Sequence, residues 1–506
     1  MTSPPSKEPQ SRLGKHMPQP EALQLIPEEM ARKYNAIPLE LDGHTLRVAM
    51  ADPTDYFALE ALTTQSQMRI ESELATAEEI QEAIDFNYKD YDEIEKQIST
   101  ILPSKITGEQ IEIDLDNIIN TPVAQALTLI IDEAVKARAS DIHLQPQEDR
   151  LRVRYRIDGT LHDMFSLPLI TTTPLISRIK ILANMNIADH HRSQDGQFSI
   201  KAKGRLIDIR VGTIPTVYGE MATLRLLDKS RATLALTELG FLPESLAQYE
   251  KLLKVSYGMI LVSGPTGAGK TTTLYASVNC LDCNGRNIIT IEDPVEYRFK
   301  GVNQIQINPR AGITFSSGLR AILRLDPDVI LVGEIRDIET AKIAIQSALT
   351  GHLVLSSIHA NDAAGVVFRL LDLGVEPFLV SSALIGVVAQ RMVRRICPHC
   401  ARPVEVPMIE QVHYSQEIGE ERTEFFYGTG CNSCAHTGYW GRTGIFEILH
   451  ISDAMRAMLR NGTTAVELRN RAIKEGMTSL MRDGMLKVKQ NITTPSEVLR
   501  SAYSLE

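Results

Sequence analysis

One run of eight residues constrains the fold of this chain more than any other. Residues 264–271 read Gly-Pro-Thr-Gly-Ala-Gly-Lys-Thr, follow the apolar run Met259–Val262 and open a helix-forming stretch. A strand, a glycine-rich turn and a helix in this order are typical of a phosphate-binding loop. Its glycines let backbone N–H groups surround phosphate oxygens, and the helix N-terminus adds a favourable dipole. The run therefore predicts a nucleotide-binding α/β domain.

This loop motif assigns roles to its polar residues. Lys270 is expected to neutralise the β- and γ-phosphates, and Thr271 is expected to place its hydroxyl on Mg²⁺. ATP with Mg²⁺ is therefore the expected ligand. The residues expected to contact the nucleotide through this loop are Gly264, Pro265, Thr266, Gly267, Ala268, Gly269, Lys270, Thr271 and Thr272.

Further apolar runs predict a parallel sheet around the loop. Segments rich in isoleucine and valine at 259–262, 288–291, 329–332 and 353–356 alternate with helical stretches. Continuous apolar runs of this kind are typical of parallel strands that are covered on both faces. Polar residues at the carboxyl ends of such strands point toward the ligand crevice.

The strand predicted at 329–332 is followed by Gly333 and Glu334. A nucleotide hydrolase keeps its metal-linked acid at the end of a buried strand beside the phosphate loop. Glu334 comes one residue later than that position, so two roles stay open. It would either polarise the attacking water or hold the water shell of the metal.

Two more polar groups follow predicted strands. The acidic box Glu292–Glu296 follows 288–291 and offers Asp293 and Glu296 to the site, with Glu296 as a second catalytic candidate. Because Pro294 alone would justify a turn, surface acids are the alternative interpretation. His359 follows the run that begins at 353 and is expected to sense the γ-phosphate, although a lone histidine is more often structural.

Four cysteines form two pairs at metal-ligand spacing: Cys397 with Cys400, and Cys431 with Cys434. In a long chain without a secretory signal, this pattern favours a closed tetrahedral Zn²⁺ site over disulfides. A closed site has no open coordination position, so its role is expected to be structural. Reduced thiols in ordinary turns are the alternative, and His399 and His436 are weak substitute ligands.

The length of 506 residues exceeds what one core organises, so several domains are expected. Breakers, charge runs and periodicity set the boundaries. The expected divisions are a disordered tail at 1–20, a small α+β domain at 21–88, a charged linker at 89–120, a second α+β domain at 121–235, the phosphate-loop domain at 236–394, a zinc-binding insert at 395–440 and a helical C-terminal part at 441–506.

Two segments bear on whether the chain enters a membrane, and neither has the features of a signal peptide or a membrane-spanning helix. The first twenty residues lack the apolar core of a secretory signal, so the chain is expected to stay in the cytoplasm. The apolar run Phe378–Gln390 is too short for a bilayer and is expected to be a buried helix.

A nucleic-acid motor is an alternative, because arginines recur at 152–156 and 391–395. The net charge of −10 and the aromatic content of 5% argue against it, so no nucleic-acid partner is expected. A nucleotide-gated scaffold that hydrolyses ATP poorly is a further alternative.

Taken in order, these motifs resemble the secretion ATPases of the type II and type IV pilus class. The resemblance covers roughly Thr121 to the C-terminus. Besides the phosphate loop, the acidic box and the four cysteines, it is carried by Ala139–His143, Arg154–Gly159, Gln194–Gly196, Leu325–Asp337 and Thr350–Asp362.

The resemblance implies a fold and a working assembly. In that family a RecA-like ATPase domain is preceded by a PAS-like domain, and six subunits form a ring on the cytoplasmic face of the inner membrane. It also implies that Arg210 and Arg225 act as arginine fingers and that His359 belongs to a nucleotide-sensing box. The module at 21–88 is similar to the family domain that docks on a membrane-anchored platform protein.

Within the family, the chain most resembles the type II secretion ATPase. Retraction motors usually lack the tetracysteine insert, and pilus builders often carry a longer N-terminal region. The resemblance therefore implies a hexameric ATPase that drives pseudopilus assembly and protein export. A type IV pilus assembly ATPase is the alternative.

Overall fold

The computed structural model describes residues 22, 25–87, 122–202, 205–228, 234–281, 283, 285–434 and 437–502. The tail expected at 1–20 and the linker expected at 89–120 lie outside these ranges. The described residues form sheets of three, six, seven and two strands.

Among the described residues of the N-terminal domain, the three helices with defined bounds pack on a three-stranded sheet. Its β1 and β2 are antiparallel, and β2 and β3 are parallel. The last helix begins with a capping box, because the N–H of Thr76 donates to Glu79 Oε2 (3.0 Å) and the N–H of Glu79 donates to Thr76 Oγ1 (3.2 Å). The elements are α1 (Glu28–Lys33), β1 (Ala36–Asp42), β2 (Thr45–Met50), α2 (Tyr56–Ser66), β3 (Arg69–Leu74) and α3 (Ala77–Asn87).

The second domain is a six-stranded sheet in the order β6-β5-β4-β9-β8-β7, with all neighbours antiparallel. Its first helix buries Leu127, Ile130, Ile131 and Ala134, which a period of 3.6 residues places on one face. The elements are α4 (Pro122–Lys136), β4 (Ala139–Pro146), β5 (Arg150–Ile157), β6 (Thr160–Pro168), α5 (Thr172–Leu182), β7 (Gln194–Ala202), β8 (Arg205–Thr216) and β9 (Gly219–Asp228).

The arginines of β5 are matched by carboxylates of the same sheet. Arg152 and Arg154 pair with Asp163 at 2.5 and 3.3 Å, and Arg156 lies 3.6 Å from Asp141. The arginines at 152–156, which suggested a nucleic-acid motor as an alternative, are therefore ion-paired within the sheet.

The phosphate-loop domain has a parallel sheet with helices on both sides. The strands predicted at 259–262, 288–291, 329–332 and 353–356 are all present. The elements up to the cysteines are α6 (Pro243–Leu253), β10 (Gly258–Ser263), α7 (Lys270–Asn279), β11 (Ile288–Glu292), β12 (Val302–Gln306), α8 (Phe315–Ile322), β13 (Val329–Val332), α9 (Ile338–Leu349), β14 (Leu353–Ile358), α10 (Ala363–Asp372), α11 (Pro377–Ala383) and β15 (Leu384–Ile396).

The buried helix expected over Phe378–Gln390 is wrong for most of its length. Helix α11 ends at Ala383, and the following apolar residues form β15. A short apolar run fits a buried strand as well as a buried helix, since periodicity alone does not separate them. No helix in the described part of the chain is both long and apolar enough to cross a membrane.

The cysteine-bearing insert leaves the core sheet after β15 and returns to it in a long strand. The elements are β16 (Ala401–Glu405), α12 (Met408–Ile418), β17 (Glu424–Gly428) and β18 (Tyr439–His450), and they are followed by α13 (Asp453–Arg460), α14 (Ala465–Lys474), α15 (Leu480–Lys489) and α16 (Pro495–Ala502). Because β18 pairs antiparallel with β15, the sheet order is β12-β11-β13-β14-β10-β15-β18. The core sheet thus takes in a strand from beyond the predicted insert.

Candidate functional site

The carboxyl edge of the core sheet gathers the predicted polar groups in one line. The phosphate loop follows β10, His359 follows β14, Glu334 follows β13 and the acidic box follows β11. These four strands are consecutive neighbours in the sheet. Their ends therefore face one crevice, as the parallel topology requires.

The phosphate loop adopts a backbone that needs its glycines. Gly264 has φ of 152° and Gly269 has φ of 86°, values that side-chain-bearing residues avoid. A Cβ on Gly264 would lie 2.5 Å from the carbonyl oxygen of Gln390. Helix α7 begins at Lys270, and Thr271 is exposed in its first turn. The loop thus presents an open helix N-terminus, which favours anions.

Lys270 lies folded against its own loop. Its Nζ donates to the carbonyl oxygens of Gly264 (2.7 Å) and Pro265 (3.1 Å). Burial lowers the pKa of Lys270, and the nearby Glu334 carboxylate opposes that shift. Phosphate oxygens are stronger acceptors than these carbonyls, so the ammonium group is placed to exchange one set of acceptors for the other.

Glu334 is held where three strand ends meet. The N–H of Gly333 donates to the carbonyl of Ile291 (2.8 Å), and Ser357 Oγ donates to the carbonyl of Gly333 (2.7 Å). The Arg336 guanidinium donates to the Glu334 carboxylate, and this bond raises the pKa of Arg336. Glu334 therefore has a fixed position beside Lys270.

The acidic box divides into a buried and an accessible part. Glu292 is buried and accepts hydrogen bonds from Tyr275 Oη, from Thr290 Oγ1 (2.6 Å) and from Gln304 Nε2 (3.2 Å). Burial, followed by the bond to Glu292, raises the pKa of Tyr275. Asp293 is exposed and Glu296 is half-buried, so these two carboxylates are the ones that the crevice can use.

The two candidate arginine fingers differ in what they contact. Arg210 reaches from β8 to the acidic box, where its Nη1 donates to Glu296 Oε1 (3.2 Å) and its Nη2 lies 2.8 Å from Oε2. Arg225, its cross-strand partner, donates to Asp141 Oδ1 (3.0 Å) within the second domain. The structure brings Arg210 to the edge of the site and leaves Arg225 in its own sheet.

Gln390 is a site residue that sequence reasoning missed. It is buried on β15, donates from Nε2 to the carbonyl of Ala268 (2.5 Å) and accepts at Oε1 from Thr273 Oγ1 (2.8 Å). It thus clamps the phosphate loop to the first turns of α7. In the sequence, Gln390 stands out only as the polar residue at the end of the apolar run Phe378–Gln390. Because that run is expected to be a helix, the sequence does not connect Gln390 with the phosphate loop.

The four cysteines form one buried cluster. Their Sγ atoms all lie within 4.8 Å of one another, with Cys397–Cys431 at 3.7 Å and Cys400–Cys434 at 3.9 Å. Sulfurs at about 2.3 Å from a tetrahedral Zn²⁺ are about 3.8 Å apart, whereas disulfide sulfurs are about 2.05 Å apart. The spacing therefore fits a zinc ion and excludes disulfides.

Hydrogen bonds prepare Cys434 to act as a thiolate. The Cys431 thiol and the N–H groups of Cys431 (3.1 Å) and Gly438 (3.2 Å) donate to its Sγ and lower the pKa of Cys434 from its ordinary value. Of the substitute ligands, His399 is exposed beside Trp440. His436 lies outside the described residues.

Comparison with known proteins finds two families in this chain. The signature described as "Type II/IV secretion system protein" matches residues 117–500, and that of the MshEN domain matches residues 9–93. The first match covers most of the chain, including the phosphate loop and the cysteine cluster.

Similar proteins include a type IV pilus assembly ATPase and type II secretion system proteins. The chain is 40% identical to the type IV pilus assembly ATPase PilB of Myxococcus xanthus over 95% of this chain and 86% of that protein. It is 45% identical to the type II secretion system ATPase E of Vibrio cholerae over 75% of each chain. It is 39% identical to the type II secretion system protein E of Aeromonas hydrophila over 95% of this chain and 97% of that protein.

Solved structures share the architecture of the ATPase region. The pilus retraction motor PilT with bound ADP superposes with a TM-score of 0.51 at 26% identity, over 74% of this chain and 96% of that one. The ATPase DotB of Legionella pneumophila superposes with a TM-score of 0.55 at 20% identity, over 73% of this chain and 93% of that one. The second of these shows a shared fold alone.

Proposed function

Because this chain belongs to the Type II/IV secretion system protein family and is an ATP hydrolase, we propose that it works as a homohexameric motor of a type II secretion system. In this proposal, ATP hydrolysis at the inner membrane drives pseudopilus assembly and protein export. The observation that carries the proposal is the contact of Arg210 with Glu296, since it joins the second domain to the edge of the ATP site.

Each site residue has a part in hydrolysis. The loop backbone, Lys270 and the N-terminus of α7 hold the β- and γ-phosphates. Thr271 would hold Mg²⁺, which when bound offsets charge on the phosphate oxygens. Glu334 orients the water that attacks the γ-phosphorus on the side opposite the departing ADP oxygen. Asp293, Glu296 and His359 line the rest of the crevice.

Coupling to movement passes through the arginines. An arginine that leaves Glu296 for the γ-phosphate stabilises charge in the transition state and moves its domain with it. Arg210, which pairs with Glu296, would make that exchange. Arg225 lies on the next strand and would contribute once its ion pair with Asp141 opens.

The remaining domains serve attachment and structure. We propose that the N-terminal domain docks on a membrane-anchored platform protein, which would place the ring at the inner membrane. Zn²⁺ at Cys397, Cys400, Cys431 and Cys434 would hold the two ends of the insert together.

The test compares ATP hydrolysis by wild type, Glu334→Gln and Lys270→Ala, with and without the detergent-solubilised platform protein, while light scattering reports particle mass. We expect partner-stimulated activity that is confined to hexamers and lost in both variants. Activity that survives Lys270→Ala would overturn the proposal. Activity that ignores the partner but rises with DNA would favour a nucleic-acid motor.

Type IV pilus extension is the second candidate, and the similarity to PilB over 95% of this chain favours it. The two functions separate in cells. A strain that lacks the gene should regain export of folded proteins, and not surface pili, when the chain is restored. Recovery of pili without recovery of export would assign the pilus function instead.

A further inference from the structure

The insert carries an apolar surface that nothing in the described structure covers. Val404 at the end of β16 and Met408, Ile409 and Val412 on α12 are 41%, 77%, 60% and 36% exposed. Met408 and Ile409 lie four and three residues before Val412, so each is its neighbour on the surface of α12. We call these four residues the insert stripe. Adjacent exposed apolar side chains of this size are typical of interaction surfaces.

Packing of α12 is already complete on its other side. Tyr414 is buried there against Phe425, with ring centroids 4.9 Å apart. Tyr427 Oη donates to Glu410 Oε2 (2.5 Å), and Gln411 Nε2 donates to the carbonyl of Val406 (2.7 Å). The insert stripe therefore contributes little to holding the helix in place.

The surroundings of the insert stripe are strongly acidic. Residues 401–428 contain six glutamates and two arginines. Glu405 and Glu424 are Cα partners across the β16–β17 ladder, and like charges at directly opposed positions repel. Glu405 ends β16 three residues before Met408, so this repulsion lies beside the insert stripe.

The carboxylates at this end lack cations within the described part of the chain. None of the three carboxylates of Glu405, Glu421 and Glu424 forms an ion pair with a described residue. The nearby Arg422 instead donates to the backbone carbonyl of Glu424 (2.7 Å) and to Asn491 Oδ1 (3.1 Å). Three carboxylates are thus left for cations from elsewhere.

We propose that this end of the insert binds an amphipathic, lysine- or arginine-rich segment of a partner protein. The apolar side chains of the segment lie on the insert stripe, and its cations lie among Glu405, Glu421 and Glu424. Charge complementarity selects this occupant. Anionic lipid headgroups and nucleic acids are repelled by the same carboxylates. The surface is separate from the ATP crevice, so the proposal goes beyond ATP hydrolysis.

The test uses the full zinc-loaded protein and a fluorescein-labelled 18-residue peptide of leucines and lysines in an amphipathic helical pattern. Fluorescence anisotropy gives Kd. We expect Ile409→Ser and Glu405→Lys each to raise Kd by roughly tenfold, since each removes one half of the complementarity. Binding by wild type should also weaken as salt increases.

Matched control variants distinguish binding at this surface from nonspecific binding of the peptide. Val466→Ser alters another exposed apolar residue, 68% exposed on α14, and Glu244→Lys alters another exposed glutamate on α6. Both control variants should leave Kd unchanged. All four variants should leave the rate of ATP hydrolysis unchanged. Equal binding of a peptide with glutamates in place of lysines would overturn the proposal, as would binding to phosphatidylglycerol vesicles.

A second copy of this chain is the remaining occupant that the test detects. Sedimentation velocity without peptide would then show self-association that Ile409→Ser abolishes and Val466→Ser does not. That outcome would overturn the proposal and assign the surface to contacts between copies.

Discussion

Single side chains set the shape of the ATP crevice, and some of them come from parts of the sequence far from the phosphate loop. Gln390 lies more than a hundred residues beyond the phosphate loop and bonds both the carbonyl of Ala268 and the hydroxyl of Thr273. A motif search finds the loop but not this residue, because the contact depends on β15 lying next to β10.

Substitution of Gln390 should therefore weaken nucleotide binding. Gln390→Leu keeps the volume but leaves two buried polar groups unpaired, at a cost of about 1–3 kcal/mol each. We expect the KM for ATP to rise by roughly tenfold or more. Gln411→Leu, which also removes a side-chain bond to a backbone carbonyl, is the control and should keep the wild-type KM. If Gln390→Leu and Gln411→Leu changed the KM equally, Gln390 would have no specific role in holding the phosphate loop.

Tyr275 connects the helix of the phosphate loop to the acidic box. Its hydroxyl donates to Glu292 and accepts from the N–H of Glu296 (3.2 Å). Tyr275→Phe should lower the free energy of unfolding by about 1–3 kcal/mol, because a buried carboxylate loses one donor. It should also lower kcat, because Glu296 and its partner Arg210 lose a support.

The control for Tyr275 is a tyrosine of α6 that contacts the same helix, α7. Tyr249 is buried and its hydroxyl contacts Ser277 Oγ at 2.6 Å, away from the acidic box. Tyr249→Phe should reduce stability in urea denaturation by a similar amount and leave kcat unchanged. If Tyr275→Phe also left kcat unchanged, Tyr275 would be a stabilising residue alone.

At the scale of helices and strands, local sequence patterns identify elements well, whereas pairing between strands that are distant in sequence is not visible in them. The capping box of α3 and the apolar face of α4 rest on residues within one or two turns, so their patterns are complete in the sequence. The strand β15 was assigned to a helix, since a short apolar run carries no period. That β18 joins the core sheet depends on pairing across the whole insert.

The same contrast holds within the site. Glu334, Lys270 and the acidic box follow directly from strands that end at one sheet edge, so the sequence indicated them. The contact of Arg210 with Glu296 depends on how two domains pack. No spacing in the sequence contains that information.

Removal of the cysteine cluster should affect the insert more than the core. Cys397→Ser is expected to lower the zinc content from about one ion per chain to near zero, because four thiolates make a closed site. The insert should then become sensitive to protease. Elemental analysis and limited proteolysis measure the two effects, and Cys280→Ser, at an exposed cysteine outside the cluster, is the control. Unchanged zinc in Cys397→Ser would contradict the zinc site.

At the scale of the whole molecule, two contacts between described residues join the second domain to the ATPase domain. Arg210 contacts Glu296 beside the ATP crevice. The turn after β5 contacts the start of β18, where Asp158 Oδ2 accepts from the N–H of Gly441 (2.9 Å) and Arg138 lies 3.8 Å from the centre of the Trp440 ring. If Arg210 moves to the γ-phosphate as proposed, the first contact opens while the second can stay in place.

A double-mutant cycle on Arg210 and Glu296 should reveal this coupling. Each of Arg210→Ala and Glu296→Ala is expected to reduce kcat by roughly tenfold or more, and the double variant should lose less than the product of the two. The cycle on Arg225 and Asp141 is the comparison, because that pair lies within one domain. Strict additivity for Arg210 and Glu296 would show that the two residues act independently.

The strand pair β15 and β18 has a consequence for how this chain can be rebuilt. Ile396 and Tyr439 are Cα partners, so the polypeptide leaves and re-enters the core at adjacent points about 5 Å apart. In topological terms the insert is the loop of a β-hairpin, with the four thiols at its neck. A foreign module could be grafted at this junction, provided that it also covers Met485, Val488 and Val498, which pack against the insert.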